Sequence, residues 1–287
     1  MTKPVSILVT ALSWVLLLAT PGAAQEHSRS DLEDTATEQE GRGEFELVLI
    51  HGLGGNATIW EEVLPFLKNT FKVEVFEFSG HGDTQPMSDI SIDSEVQRLQ
   101  AFIAKVGFTY PTLVGHGMGG MVAMQYALDH PADVHRLIVI DSAPMQLAAD
   151  EQKASITKKL LTNYDEFVAS RYLHMSDNPD ITEKVVDMAL RTDSASFISL
   201  LMSGFDYDVT SRLGDFSVPM LVIGSELMFP ATNSSQHLLE HYGFNHARTL
   251  SFKRMPNVGH YVMLEYPVLT ASVLLAFGVT ADYVFDQ

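Results

Sequence analysis

Short apolar runs, each closed by glycine or a small polar residue, alternate along most of the chain with stretches of helical periodicity. The first run, Phe45-Glu46-Leu47-Val48-Leu49-Ile50, ends at His51-Gly52-Leu53-Gly54-Gly55. It predicts a buried parallel strand delivering a glycine-rich loop. A helix is expected over 59–68, then a strand over 72–78 that ends at Gly80-His81-Gly82-Asp83. Over 94–106, Val96, Leu99, Phe102, Ile103 and Val106 share one helical face. A strand at 112–116, a helix from Met118 toward His130, and a strand Leu137-Ile138-Val139-Ile140 ending at Asp141 continue the alternation.

Between 144 and about 213 the strand rhythm stops. Ile156, Leu160, Phe167, Val185, Met188, Phe197 and Leu201 recur at helical spacings, which predicts an inserted cap of three or four helices. Strands at 219–223 and 248–252, with helices at 234–242 and 267–277, complete the pattern. Alternation of this kind implies an α/β fold with a doubly wound, mostly parallel sheet.

Composition changes this picture at the N-terminus. Lys3, the apolar run 7–19 and Pro21-Gly22-Ala23-Ala24 read as a secretory signal with a small-residue cleavage site. Cleavage predicts a secreted or periplasmic protein with no stable membrane insertion, and an uncleaved segment predicts a membrane anchor. Residues 25–44 are polar, charged and without periodicity, so a disordered acidic linker is expected before a single domain at 45–287. The net charge of −18 comes from 36 acidic and 18 basic residues. No stretch clusters Lys and Arg, which argues against a nucleic-acid partner. With no cysteine in the chain, disulfides and thiol nucleophiles are excluded.

Candidate chemistry centres on Gly115-His116-Gly117-Met118-Gly119-Gly120. A strand running into a small-residue turn and then a helix is the build of a nucleophile elbow, which lifts one side chain above a parallel sheet. The G-x-S-x-G pattern places serine at the middle position, and here that residue is Gly117.

Together these motifs resemble the α/β-hydrolase superfamily, in particular its bacterial cap-bearing, esterase-like members. His51-Gly52-Leu53-Gly54-Gly55 is similar to the oxyanion loop. Gly80-His81-Gly82-Asp83 is similar to the loop after the next strand, and Val258-Gly259-His260 to the turn of the catalytic histidine. The resemblance implies His260 as general base and the backbone N–H groups of Leu53 and Met118 as an oxyanion hole. It also implies a carboxylate partner for His260. Counting from Gly224 places that acid at Leu227 and counting back from Pro230 places it at Glu226; one deletion in the loop reconciles the two in favour of Glu226, and Asp141 is the alternative acid at the preceding strand end. The antiparallel strand pair with which many such proteins begin has no counterpart in 25–44, so a shortened sheet edge is expected.

Three readings of Gly117 stand side by side. The chain has lost its nucleophile and become a binding or sensing protein. It uses the His–carboxylate dyad with water or a substrate proton. Or the serine was removed by engineering. Ser79 and Ser142 are substitute hydroxyls away from the elbow. His237-Leu238-Leu239-Glu240-His241 matches a metalloprotease pattern, but a helix on the outside of the sheet makes catalytic zinc a poor reading. Neither metal nor cofactor is expected, and no phosphate-cradling glycine pattern is present. The expected ligand is a small, largely apolar ester or other carbonyl compound beneath the apolar cap.

Overall fold

The computed structural model describes residues 43–280 apart from Thr249. The expected signal, and all but the last two residues of the expected linker, lie outside the described residues. Strand β1 (Phe45–Ile50) leads into a 3-10 turn at Ala57–Trp60 and a short helix α1 (Leu64–Leu67). The expected continuous helix over 59–68 is thus broken. Pro65 has no N–H to offer the carbonyl one turn back, so it sits at the second position of a new helix instead.

Strand β2 (Phe71–Phe76) is followed by α2 (Ile92–Val106), which starts two residues earlier than its apolar face suggested. The cause is a reciprocal cap: Ser94 N–H donates to Ser91 Oγ at 3.1 Å and Ser91 N–H donates to Ser94 Oγ at 2.8 Å. Then come β3 (Thr112–His116), α3 (Met118–Asp129) and β4 (Arg136–Ile140). The insertion opens with β5 (Met145–Leu147) and carries α4 (Asp150–Thr162), α5 (Tyr164–Tyr172), α6 (Pro179–Arg191) and α7 (Ser194–Gly204). It closes with β6 (Asp206–Asp208). The main fold resumes with β7 (Met220–Ser225), α8 (Ser235–His241), β8 (Leu250–Met255), α9 (Val262–Glu265) and α10 (Pro267–Val279).

The sheet order is β2-β1-β3-β4-β7-β8, and every pairing in it is parallel. Strands β3, β4 and β7 are buried along their whole length, as sheets covered on both faces require. The chain winds outward from β1 to β2, then crosses back so that β3 pairs with the other side of β1. That reversal opens a crevice beyond the carboxyl ends of β1 and β3, the usual ligand position in an open α/β sheet. The loops after β1, β3, β4, β7 and β8 all end there.

The cap has four helices as expected, plus a two-stranded ribbon that was not. β5 and β6 pair antiparallel, with Met145 opposite Asp208. Three-residue strands are too short to print an alternation in the sequence. They form because the entry and exit of an insertion must meet. Tyr207 on β6 anchors this neck, its hydroxyl donating to Met121 O of α3 at 3.0 Å.

Candidate active site

The turn after β3 has the geometry its small residues suggested. Gly117 adopts φ +52° and ψ −118°, a conformation costly for any residue with a side chain. Its N–H still reaches across to Ile140 O at 2.9 Å, so the strand ladder runs to the turn itself. The glycine two positions on is required by space. A Cβ at Gly119 would lie 2.4 Å from His51 O and 2.5 Å from Ile50 O, inside van der Waals contact. The start of α3 therefore presses against the end of β1, and Met118 opens that helix with an N–H that has no intrahelical carbonyl to meet.

Facing the turn is His260. A Cβ built on Gly117 would stand 3.3 Å from His260 Nε2. On the other side of the ring, His260 Nδ1 meets Asp141 Oδ2 at 3.1 Å. The carboxylate that reaches the histidine is therefore Asp141, and Glu226 does not. Glu226 Oε1 instead accepts from Ala231 N–H at 2.7 Å, turned into its own loop. Counting loop residues misassigned the acid because Ser225 occupies the end of β7 facing Asp141. Ser225 N–H donates to Asp141 Oδ1 at 2.6 Å, and its hydroxyl lies 2.5 Å from Oδ2. The Asp141 side chain is wholly buried, and these three contacts replace the water it has lost.

The glycine-rich loop after β1 is held from two sides. Below, His51 is buried and accepts from Phe78 N–H at Nε2 (3.1 Å), which leaves its Nδ1 proton for Gly52 O at 2.8 Å. Burial holds the His51 imidazole down at about 3, with His81 adding to the effect. It holds His81 at about 4. Above, Tyr172 at the end of α5 donates its hydroxyl to Leu53 O at 2.6 Å. The histidine turn is tied to the same cap segment, since His260 N–H donates to Met175 O at 2.7 Å. His116 stands behind the dyad, its ring 4.3 Å from that of His260. Burial first, and His260 second, keep it well below the usual imidazole range.

A cavity of about 280 Å³ lies over this turn, lined among others by Leu53, Gly117, Met118, Asp141, Ser142 and His260. Five backbone or side-chain positions singled out in the sequence thus share one wall with the alternative acid Asp141. Glu226 is outside it. Ser142 lines the cavity, but its hydroxyl is buried without a hydrogen-bond partner, so no base activates it. Ser79 is buried elsewhere, donating to Gln85 O at 3.2 Å and accepting from Met87 N–H at 2.7 Å. His237 and His241 lie exposed on α8, and among the described residues no group of three metal-ligating side chains converges. No helix among the described residues is long and apolar enough to cross a membrane.

Ser225, Tyr172 and Met175 escaped the sequence reading. Each acts across 84 residues or more, and no local pattern signals such a contact.

Three comparisons bear on the site. A family model described as "Alpha/beta hydrolase family" matches residues 47–273. The chain is 30% identical over 198 residues to a pimeloyl-[acyl-carrier protein] methyl ester esterase of Photobacterium profundum, covering 63% of this chain and 75% of that protein. With a protein of the same description from Aeromonas hydrophila it shares 31% identity over 137 residues, 48% of this chain and 52% of that one, so this match spans about half of the relative's length. A solved hydrolase from Oleispira antarctica has the same fold, with a TM-score of 0.74 at 17% identity over 86% of this chain and 96% of that one.

Proposed function

Since the chain belongs to the alpha/beta hydrolase family, we propose that its cavity is an esterase-type site in which Gly117 stands where the serine nucleophile would be and water, activated by His260, takes the serine's part. The observation that carries this reading is the orientation of His260. Its Nδ1 is committed to Asp141 at 3.1 Å, and its Nε2 faces the space a side chain at Gly117 would fill. With the proton on Nδ1, the lone pair of Nε2 points into that space.

A water there gives its proton to Nε2 while its oxygen attacks the ester carbonyl carbon. Charge gathers on the carbonyl oxygen, where the N–H groups of Leu53 and Met118 receive it. His260 then returns the proton to the departing alkoxide, leaving an acid and an alcohol. Asp141 steadies the imidazolium without itself being protonated. No acyl-enzyme forms. A site of this kind keeps the part of the catalysis that an oxyanion hole and binding supply alone, roughly 10³–10⁴-fold over water.

The cavity supports a small ligand with a largely apolar body. Its volume of about 280 Å³ lies at the lower end for ligand pockets, and Met121, Met145, Met175 and Met228 contribute adaptable apolar wall. The methyl ester esterases among the relatives support an ester as the group attacked. The signal at 1–24 supports action outside the cytoplasm. A mature N-terminus near residue 25 would agree with that, and retention of Met1 in the cell envelope would make the segment an anchor.

The test of function is hydrolysis of an activated short-chain ester by the purified protein and by His260→Ala. Slow turnover that disappears in the variant, with no labelling by a fluorophosphonate, is the expected result. Saturable binding without turnover in either protein would identify a binding protein instead.

A further inference from the structure

The cap contributes a cation to the wall of the cavity. Arg171, in the last turn of α5, lines it together with Gly117 and His260. Two tyrosines locate its charge. Burial pushes the Tyr172 hydroxyl up to about 12 against the opposing effect of Arg171, which acts through its charge and through a side-chain hydrogen bond to Tyr172, and the same charge opposes the effect of burial on Tyr261. Tyr172 is bonded to Leu53 O at 2.6 Å, on the oxyanion loop. Tyr261 is the neighbour of His260. Arg171 thus lines the cavity and acts on both tyrosines, one bonded to the loop after β1 and one beside His260.

Among the described residues that charge has no carboxylate counterion. Among the described residues the ion pairs involve Arg98, Lys153, Lys184, Arg191, Arg212 and His260, and Arg171 is in none of them. Its Nε is buried without a hydrogen-bond partner. The carboxylate on the cavity wall, Asp141, is already committed to Ser225 and His260. A buried guanidinium N–H left unpaired is costly, and its planar donor fork matches a carboxylate. This is notable in a chain with a net charge of −18, where carboxylates to neutralise an arginine are plentiful.

We propose that Arg171 binds an anionic group on the ligand, so that the site takes half-esters: small molecules with an ester at one end and a free carboxylate at the other. The inference rests on the reading of this cavity as the ligand site and adds the ligand's charge. The carboxylate docks on Arg171 from the cap side, while the ester carbonyl lies over Gly117 between the oxyanion amides and His260.

The experiment is calorimetric titration of the full mature protein with the monomethyl and the dimethyl ester of one short-chain diacid. The monomethyl ester should bind about 10–100-fold more tightly, the range expected for a charge-assisted hydrogen-bonded pair. Arg171→Gln should bring the two affinities together, and Arg171→Lys should keep part of the difference. Thermal unfolding of each variant establishes that it is folded. Equal affinities in the unaltered protein, a preference that survives Arg171→Gln, or no binding of either ester would each overturn the proposal. Hydrolysis is read separately as methanol released. Preferential binding of the monomethyl ester without methanol defeats the hydrolytic reading and leaves the assignment of Arg171 standing.

Discussion

Two neighbouring strand ends in this molecule solve the same backbone problem in opposite ways. At the end of β3, Gly117 takes φ +52°, and at the end of β4, Asp141 takes φ +44°. Each still passes its N–H to the next strand, Gly117 to Ile140 O and Asp141 to Ile223 O, both at 2.9 Å. A side chain in such a conformation costs on the order of 1–3 kcal/mol. At Asp141 the chain bears the cost, and the carboxylate it retains is bonded to Ser225 and His260. At Gly117 there is no side chain to bear it, and Gly119 allows the close approach of α3 to β1. Strain is present where the turn carries a side chain and absent where it carries none, while the backbone around both turns has the same form.

Adding a hydroxyl side chain at Gly117 is the strongest way to break this contrast. Gly117→Ser should raise ester hydrolysis by roughly 10²–10⁴-fold and create fluorophosphonate labelling, because the hydroxyl would meet a base already oriented. The added Cβ must fit 3.3 Å from His260 Nε2, so a small shift of the ring is expected, and misplacement by about 1 Å could remove ~100-fold of the gain. A folded Gly117→Ser protein with neither turnover nor label would mean the dyad no longer works as a base.

Removing the side chain that was kept comes next. Asp141→Asn should reduce the activity of the Gly117→Ser protein by about 10²–10⁴-fold, since the amide no longer fixes the useful tautomer or steadies the imidazolium. The measurement is kcat against pH. An unchanged profile would show that the 3.1 Å contact to His260 has no part in catalysis.

Acid should undermine the frame that both turns share. His51 and His81 are held by burial at about 3 and about 4, while imidazoles of the unfolded chain titrate near ~6.5. Below that value the unfolded state binds more protons. Stability is therefore complete above about pH 6.5 and is lost as pH falls toward the folded values. Denaturant unfolding at pH 5 should give about 2–4 kcal/mol less than at pH 7. A flat profile would mean that these imidazoles are protonated, or solvent-accessible, in the folded protein.

Smaller effects sharpen the same comparison. Gly117→Ala should cost about 1–3 kcal/mol, as Gly117→Ser does, without gaining activity, which separates turn strain from chemistry. Glu226→Gln should change stability by no more than about 0.5 kcal/mol and leave turnover unaltered. A large loss of activity in Glu226→Gln would show that the second acid takes part after all.

The sequence by itself determined the sheet, the insertion point of the cap, the strand-turn-helix at Gly117, the glycine-rich loop after β1 and the turn that carries His260. Each of these is written locally. Buried strands are apolar runs, and positions beside the turn that admit no Cβ, such as Gly115 and Gly119, are spelled in glycine. The glycine in the middle of the turn, Gly117, was legible too, because the glycines around it stand in register with the pattern. Tertiary structure alone decided the partner of His260. Glu226 and Asp141 both follow strand ends, and only the pairing of β4 with β7 brings Ser225 onto Asp141 and turns Glu226 aside. The same holds for the β5–β6 neck, for Tyr172 against the glycine-rich loop after β1 and for Arg171 in the cavity wall. Those contacts join segments far apart in the chain, each residue being chosen by what it meets across space, and local periodicity carries no record of that.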